Sequence, residues 1–440
     1  MTIAQHIAPA VTTVLLCVSA AQAANTWLVA PDGNDANPGS CAKPFKTVQG
    51  AIKNADDGDT IRIKQGTYEL AGFTDSIDRS LTLIGEDAKT TILTKGPMVT
   101  VTKGLTLKNL TFSGGPGFRL SPPKGETLEG MLVENCVFEK FWCGFYARYY
   151  DGAITNFTVA NCEFRDMEGG KINAIALCGS NRDEAGNSIG PANVKIVNNS
   201  FKNLKSTQKG CMAVFVGDIK TTKDVIVSEN VMDTIGGPTW IREGAGPEVH
   251  GILVFGTNIR ITKNIVRNLN TGRDHEAIYM KARRSVIADN VVENCGSGFG
   301  GADITSKGGE FSEDNTITGN RITGPQPGCG IFAAGGTVIK DNYVEKPNGL
   351  LGINVYPLSK PVSIADNYVE TKHRTAIYVN GGDDAGYPFQ WPNPGEIVVT
   401  GNTAISYEGT VERSIKMENA PWAKVSGNTR RAGKPAPAKE

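Results

Sequence analysis

Between Arg273 and Ser285 the chain reads RDHEAIYMKARRS, with Arg273, Asp274, His275, Glu276, Lys281, Arg283 and Arg284 around the apolar run Ala277 to Met280. Groups of these types, so close in sequence, move protons or neutralise an anion. Two carboxylates one residue apart can offer oxygen ligands to a hard cation. An amine crowded by other cations gives up its proton more readily than a solitary lysine. Taking a proton from carbon beside a carboxylate needs a neutral base together with positive charge for the enolate-like intermediate. That is the first step of β-elimination in a uronic-acid polymer. The plainer reading is a charged rung on a strand, in which Glu276 pairs with Arg283 or Lys307.

The elements that must position this stretch repeat along the chain. The phrases IVNNSF, IVSENVM, ITKNIV, IADNVV, ITGNRI, IKDNYV, IADNYV and VTGNTA set Asn at 199, 230, 264, 290, 320, 342, 367 and 402, and Asn135, Asn161 and Asn428 extend the series. Between them lies a second phrase, a small residue followed by Ile or a relative: AIAL, AVFV, GILV, AIYM, ADIT, GIFA, GINV, AIYV and SIKM. Strands this short, with no helical period between them, exclude a doubly wound sheet, which needs a helix in every crossover. They predict an all-β, single-domain right-handed parallel β-helix over residues 24–430, with the repeated Asn at a corner, in left-handed geometry and bonded in a ladder. Phe45, Val48 and Ile52 have helical spacing and predict an N-terminal capping helix over the open end of the core.

Aligning the coils by the small-residue phrase stacks Ile252, Ile278, Ile304 and Ile331 inward. Lys281 and Lys307, each three residues past its Ile, become outer neighbours about 4.8 Å apart at the backbone. Between residues 251 and 307 there are eight basic and five acidic residues, a local excess of positive charge. Long steps between Asn residues place loops at 180–191, 236–248 and 381–396, around the coils that carry the charged stretch. Trp240 and Trp391 in these loops are candidates for stacking on sugar rings, and His250, His275, Tyr279, Arg283 and Arg284 for further substrate contacts. The loop pair Asp383 and Asp384 offers a glycosidase alternative.

The chain has 440 residues with Lys plus Arg 45 and Asp plus Glu 45, a formal charge of +0, so no overall field favours nucleic acid or a membrane surface. A monomer acting on an acidic polysaccharide is expected. Residues 1–23 read as a signal peptide, with the apolar run Val11 to Ala21 and the cleavage pattern Ala21-Gln22-Ala23, and predict a secreted or periplasmic protein. Removal of Cys17 would leave eight of nine cysteines, and Cys136 and Cys162 stack in neighbouring coils either as a disulfide or as a reduced ladder. Residues 431–440 read as a disordered tail.

Two resemblances refine these expectations. The segment NPGS..KPFKTVQGAI..A..GDTIRIKQGTY resembles the N-terminal cap of secreted pectate-lyase-like β-helix proteins. Asp274-x-Glu276 followed by Lys281 resembles the signature of the alginate lyase and chondroitinase B family of polysaccharide lyases. That resemblance implies Asp274 and Glu276 as Ca²⁺ ligands and Lys281 as the base. Lys307, in ITSKGG, falls in the slot of the family's Arg one coil later, and Glu248 or His250 is nearest to a further metal-ligand slot one coil earlier. The implied activity is an exported polysaccharide lyase. Asp274-His275-Glu276 is also similar to the acidic cluster of mannuronan C5-epimerases, although their Asp-Pro-His spacing is absent. A non-catalytic glycan-binding or structural β-helix is the alternative outside the enzymes.

Overall fold

The computed structural model describes residues 24–433 except 72–75, 116, 148–151, 179–180, 183–187, 209, 219, 237–248, 271–274, 296–301, 307–312, 357–359, 373–374 and 382–395, and except the side chains of 181, 182, 188, 270 and 275. The chain winds as a right-handed parallel β-helix, the hand that parallel crossovers take. The strands that carry the small-residue phrase and the strands that lead into Asn join in one 27-stranded parallel sheet, because long strands such as Val249–Thr262 run around the corner between two walls. The strands that follow Asn form a separate 14-stranded parallel sheet, the third wall. In the 180–191 insertion, Asn181–Arg182 and Ser188–Ile189 pair as an antiparallel ribbon.

The inward stack of the sequence reading is present: Ile252 pairs with Ile278, Ile278 with Ile304 and Ile304 with Ile331, all fully buried. On the third wall Phe112, Phe138, Phe164 and Phe201 stack ring on ring at 4.8 to 4.9 Å. The Val48–Asn54 helix is N-capped by the Thr47 hydroxyl and buries Val48, Ala51 and Ile52. It packs on the first strands and closes the core end, as its spacing requires.

The repeated Asn divides its expected role between two positions. From Asn199 onward the side chains of Asn199, Asn230, Asn264, Asn290, Asn320, Asn342, Asn367, Asn402 and Asn428 form an inner ladder, each Nδ2 donating to the next Oδ1 at 2.9 to 3.0 Å. The left-handed turn falls one residue earlier, on Glu229, Lys263, Asp289, Asp341 and Asp366, with φ between 55° and 58°. Asn135 and Asn161 sit in that earlier, left-handed position, at φ 54° and 55°. Their neighbours Cys136 and Cys162 take the ladder place as free thiols: the Cys136 N–H donates to Cys162 Sγ at 3.4 Å, and the Cys162 N–H donates to Asn199 Oδ1 at 2.9 Å. The last strand, Thr429–Ala432, pairs two residues beyond the boundary expected at 430, because Arg431 and Ala432 still face Ile405 and Ser406. The stretch read as a signal peptide lies outside the described residues, and no described helix is long and apolar enough to cross a membrane.

Candidate active site

The charged stretch lies on the outer face of the small-residue wall. Strands Val249–Thr262 and His275–Arg283 run side by side, with Leu253 opposite Tyr279, Phe255 opposite Lys281 and Thr257 opposite Arg283. Alternation buries Ile278, Met280 and Ala282 and leaves Tyr279, Lys281 and Arg283 on the outside. Five positions separate Glu276 from Lys281, so uninterrupted alternation would turn Glu276 to the other face. The strand breaks its alternation instead: Ala277 and Ile278 are both buried, and the pairing register skips Gly251 opposite Ala277. This corner admits only small residues, since a Cβ on Gly251 would stand 2.7 Å from the Ala277 carbonyl oxygen.

Around the corner the side chains close into a row. Glu276 Oε2 lies 3.1 Å from Nδ1 of His250, the residue at the matching position one coil earlier. His250 is buried, and its ring stacks on Tyr279 with centroids 5.8 Å apart and planes at 27°. Tyr279 meets Phe255 edge to face at 6.2 Å. The Lys281 ammonium stands 5.4 Å from the Tyr279 ring centre and 5.5 Å from that of Phe255. Glu276, His250, Tyr279 and Lys281 are thus contiguous. Arg283 continues the outer row, 3.8 Å from the Glu313 carboxylate, while Arg284 is exposed at the next corner with φ 50°.

The structure corrects one expected pairing: the described partner of Glu276 is His250 rather than Arg283, because the corner at Ala277 aims the carboxylate at the preceding coil. Lys307, Asp274, Glu248, Trp240 and Trp391, and the side chain of His275, lie outside the described residues, as do Asp383 and Asp384. Of the three carboxylates expected to ligate calcium, Glu276 alone is described, and its neighbour is an imidazole nitrogen. Among the described residues no group of three His, Cys, Asp or Glu side chains could hold a metal ion.

Sequence reasoning missed a second patch on the same wall. Stepping through the register from Tyr279 to Thr305, Phe332, Asn354 and Tyr378 gives four coils, about 19 Å at the strand spacing of a sheet. There a cavity of about 810 Å³ is lined by Thr375, Tyr378, Arg413, Lys416 and Glu418 among others. The Tyr378 hydroxyl donates to Glu418, and Lys416 Nζ lies 2.9 Å from the same carboxylate and 5.4 Å from the Tyr378 ring centre. The signal was present in the phrase SIKM, where Lys416 takes the outward slot that the coils from AIAL to AIYV fill with apolar or neutral residues.

Comparison with known proteins agrees with this architecture. The family model described as right handed beta helix region matches residues 250–429, and one described as a protein of unknown function, DUF1565, matches residues 31–130. No curated protein matches the chain. Among solved structures, the periplasmic alginate epimerase AlgG aligns at 12% identity and a TM-score of 0.46, over 89% of this chain and 84% of that one. The GH136 lacto-N-biosidase from Eubacterium ramulus aligns at 10% identity and a TM-score of 0.41, over 92% and 68%. The catalytic domain of a GH87 alpha-1,3-glucanase in complex with nigerose aligns at 14% identity and a TM-score of 0.34, over 87% and 67%. The matched family model describes residues 250–429 of this chain as a right-handed β-helix region.

Proposed function

We propose that the protein is a polysaccharide lyase that cleaves a uronic-acid-containing polymer by β-elimination. The observation that carries this reading is the contiguous row Glu276, His250, Tyr279 and Lys281 on one outer wall. The Lys281 ammonium stands within cation–π range of two aromatic rings. We therefore assign Lys281 to the substrate carboxylate, where its charge stabilises the enolate-like intermediate, rather than to the base role that the family resemblance implies. Tyr279, acting as its phenolate beside that cation, takes the C5 proton and returns a proton to O4 as the C4–O4 bond breaks, while His250 and Glu276 flank its ring. All four residues stand on one wall, which suits an elimination handled from a single side of the sugar. Epimerisation needs a second proton group across the ring. The Tyr378 and Lys416 patch, about 19 Å along the wall, gives a long substrate a second foothold.

The test is turnover of alginate, pectate, chondroitin sulfate and dermatan sulfate, followed by the ultraviolet absorbance of the unsaturated uronate product. Lys281→Arg keeps the charge and cannot serve as a neutral base, so it should retain about a tenth of wild-type activity, while Lys281→Ala should retain none. Complete loss in a folded Lys281→Arg variant would return the base role to the amine. Absence of unsaturated product from every uronan would overturn the lyase assignment, and a change of uronate stereochemistry without cleavage would replace it with epimerisation.

A further inference from the structure

Asp303 takes the place in its coil that Ala174, Ala213, Gly251, Ala277, Gly330 and Gly352 take in theirs, the small residue before the inward Ile. Its carboxyl group therefore enters the core, where the side chain is 1% exposed. Lys346, at the end of strand Tyr343–Lys346 on the third wall, reaches the same point from two coils further on, with its side chain 0% exposed. Lys346 Nζ stands 2.7 Å from Asp303 Oδ2 and donates a hydrogen bond to the Cys295 carbonyl oxygen at 3.1 Å. Neither Asp303 oxygen has a hydrogen bond of normal geometry, so the amine approaches the carboxyl group without aligning an N–H bond on it.

A desolvated ion pair is expensive, and its attraction rarely repays removing both charges from water. Burial pushes the Asp303 carboxyl up to about 6, against the opposing pull of Lys346, so the neutral acid becomes accessible under mildly acidic conditions. Moving one proton from the ammonium to the carboxylate yields a neutral amine and a neutral acid, the pair that can condense. Cys295 and Cys329, within electrostatic reach of Asp303, are kept as thiols by burial and do not compete as nucleophiles.

We propose that Lys346 and Asp303 form an intramolecular isopeptide bond. The Nζ lone pair attacks Cγ of Asp303, the Nζ–Cγ bond forms, the bond from Cγ to one carboxyl oxygen breaks, and that oxygen leaves as water with two protons from the pair. No oxidant or other reactant is consumed. Holding the two groups in contact is worth an effective concentration of about 10⁵ M or more, which favours amide formation in a water-poor core. The product replaces two buried charges with one neutral amide, whose N–H keeps the Cys295 carbonyl as its acceptor. It would also staple together three successive coils beneath the strand Ala302–Ser306.

The test uses the full wild-type chain and does not depend on its catalytic activity. Intact mass should be one water lighter than the sequence. Digestion at glutamate should give a branched peptide that joins residues 294–310 to residues 346–370. Lys346→Met should restore the full mass and abolish the branched peptide, and if that variant does not fold, the wild-type peptide map still decides. Unmodified Asp303 and Lys346 in separate linear peptides, after prolonged incubation of the folded protein near pH 5.5, would overturn the proposal.

Discussion

Glu276 Oε2 and His250 Nδ1 lie 3.1 Å apart across two adjacent coils, at positions matched in strand register. The pair stands behind the Tyr279 ring, next to a corner at which a Cβ on Gly251 would meet the Ala277 carbonyl oxygen at 2.7 Å. A mutation there acts on Tyr279 and Lys281 through position rather than through chemistry.

Glu276→Gln should keep the size of the side chain and lose its charge. We expect kcat on the active uronan to fall about 100-fold, with far-ultraviolet circular dichroism unchanged. Wild-type kcat in this variant would remove Glu276 and His250 from the catalytic machinery.

Gly251→Ala places a methyl group against the Ala277 carbonyl oxygen. The expected effect is a loss of about 1 to 3 kcal/mol in urea unfolding and a larger proportional loss of activity than of stability. Equal losses would mean that the corner serves the fold alone.

With Lys281 assigned to neutralise the substrate carboxylate, treatment with a strong chelator should leave turnover of the preferred uronan within about two-fold of the untreated rate, unlike the steep loss expected when a catalytic Lewis acid is removed. Loss of activity that added Ca²⁺ alone restores would reinstate Asp274 and Glu276 as ligands.

Glu139 provides a pH signature away from the site. Burial alone would raise its pKa, but hydrogen bonds from Ser113, Lys140 and Arg165 outweigh it and hold the carboxyl below its ordinary value of 4.5. A depressed folded pKa gives stability that is present above the unfolded pKa and lost as pH falls through the folded one. Glu139→Gln should therefore lower Tm clearly at pH 7 and much less near pH 3. An equal Tm difference at both values would refute the assignment.

Each inner Asn satisfies two donors of the preceding rung. Asn290→Ala would leave the Asn264 side-chain amide and backbone N–H without their shared acceptor, both at 2.9 Å. The expected cost is about 1 to 3 kcal/mol, measured by urea unfolding. A variant within about 0.5 kcal/mol of wild type would show that water replaces the lost oxygen.

The solenoid was legible because its two phrases recur with the chain's own periodicity, and inward Ile residues fall into register without further information. The Asn position was misread by one residue in the early coils, because Asn suits both a left-handed turn and a buried ladder and the sequence does not say which it serves. Glu276 and Lys281 stood out by residue type, but the break in alternation that places them on one surface depends on Gly251 and Ala277, which look like any other small residues of the repeat. Asp303 is one of the five acidic residues between 251 and 307, and nothing near it in sequence marks it as buried, since its partner Lys346 is near only after two further turns of the coil.

The Asn ladder has a direction. Each ladder Asn donates its backbone N–H and one amide N–H to the Oδ1 of its C-terminal neighbour, while its other amide N–H reaches back to a carbonyl of the preceding coil, so the oxygen of every new rung completes the one before it. A chain cut after any ladder coil leaves a backbone N–H and an amide N–H without the oxygen that the next coil supplies to both. The corner is therefore built to be extended in the order of synthesis, each emerging coil sealing its predecessor.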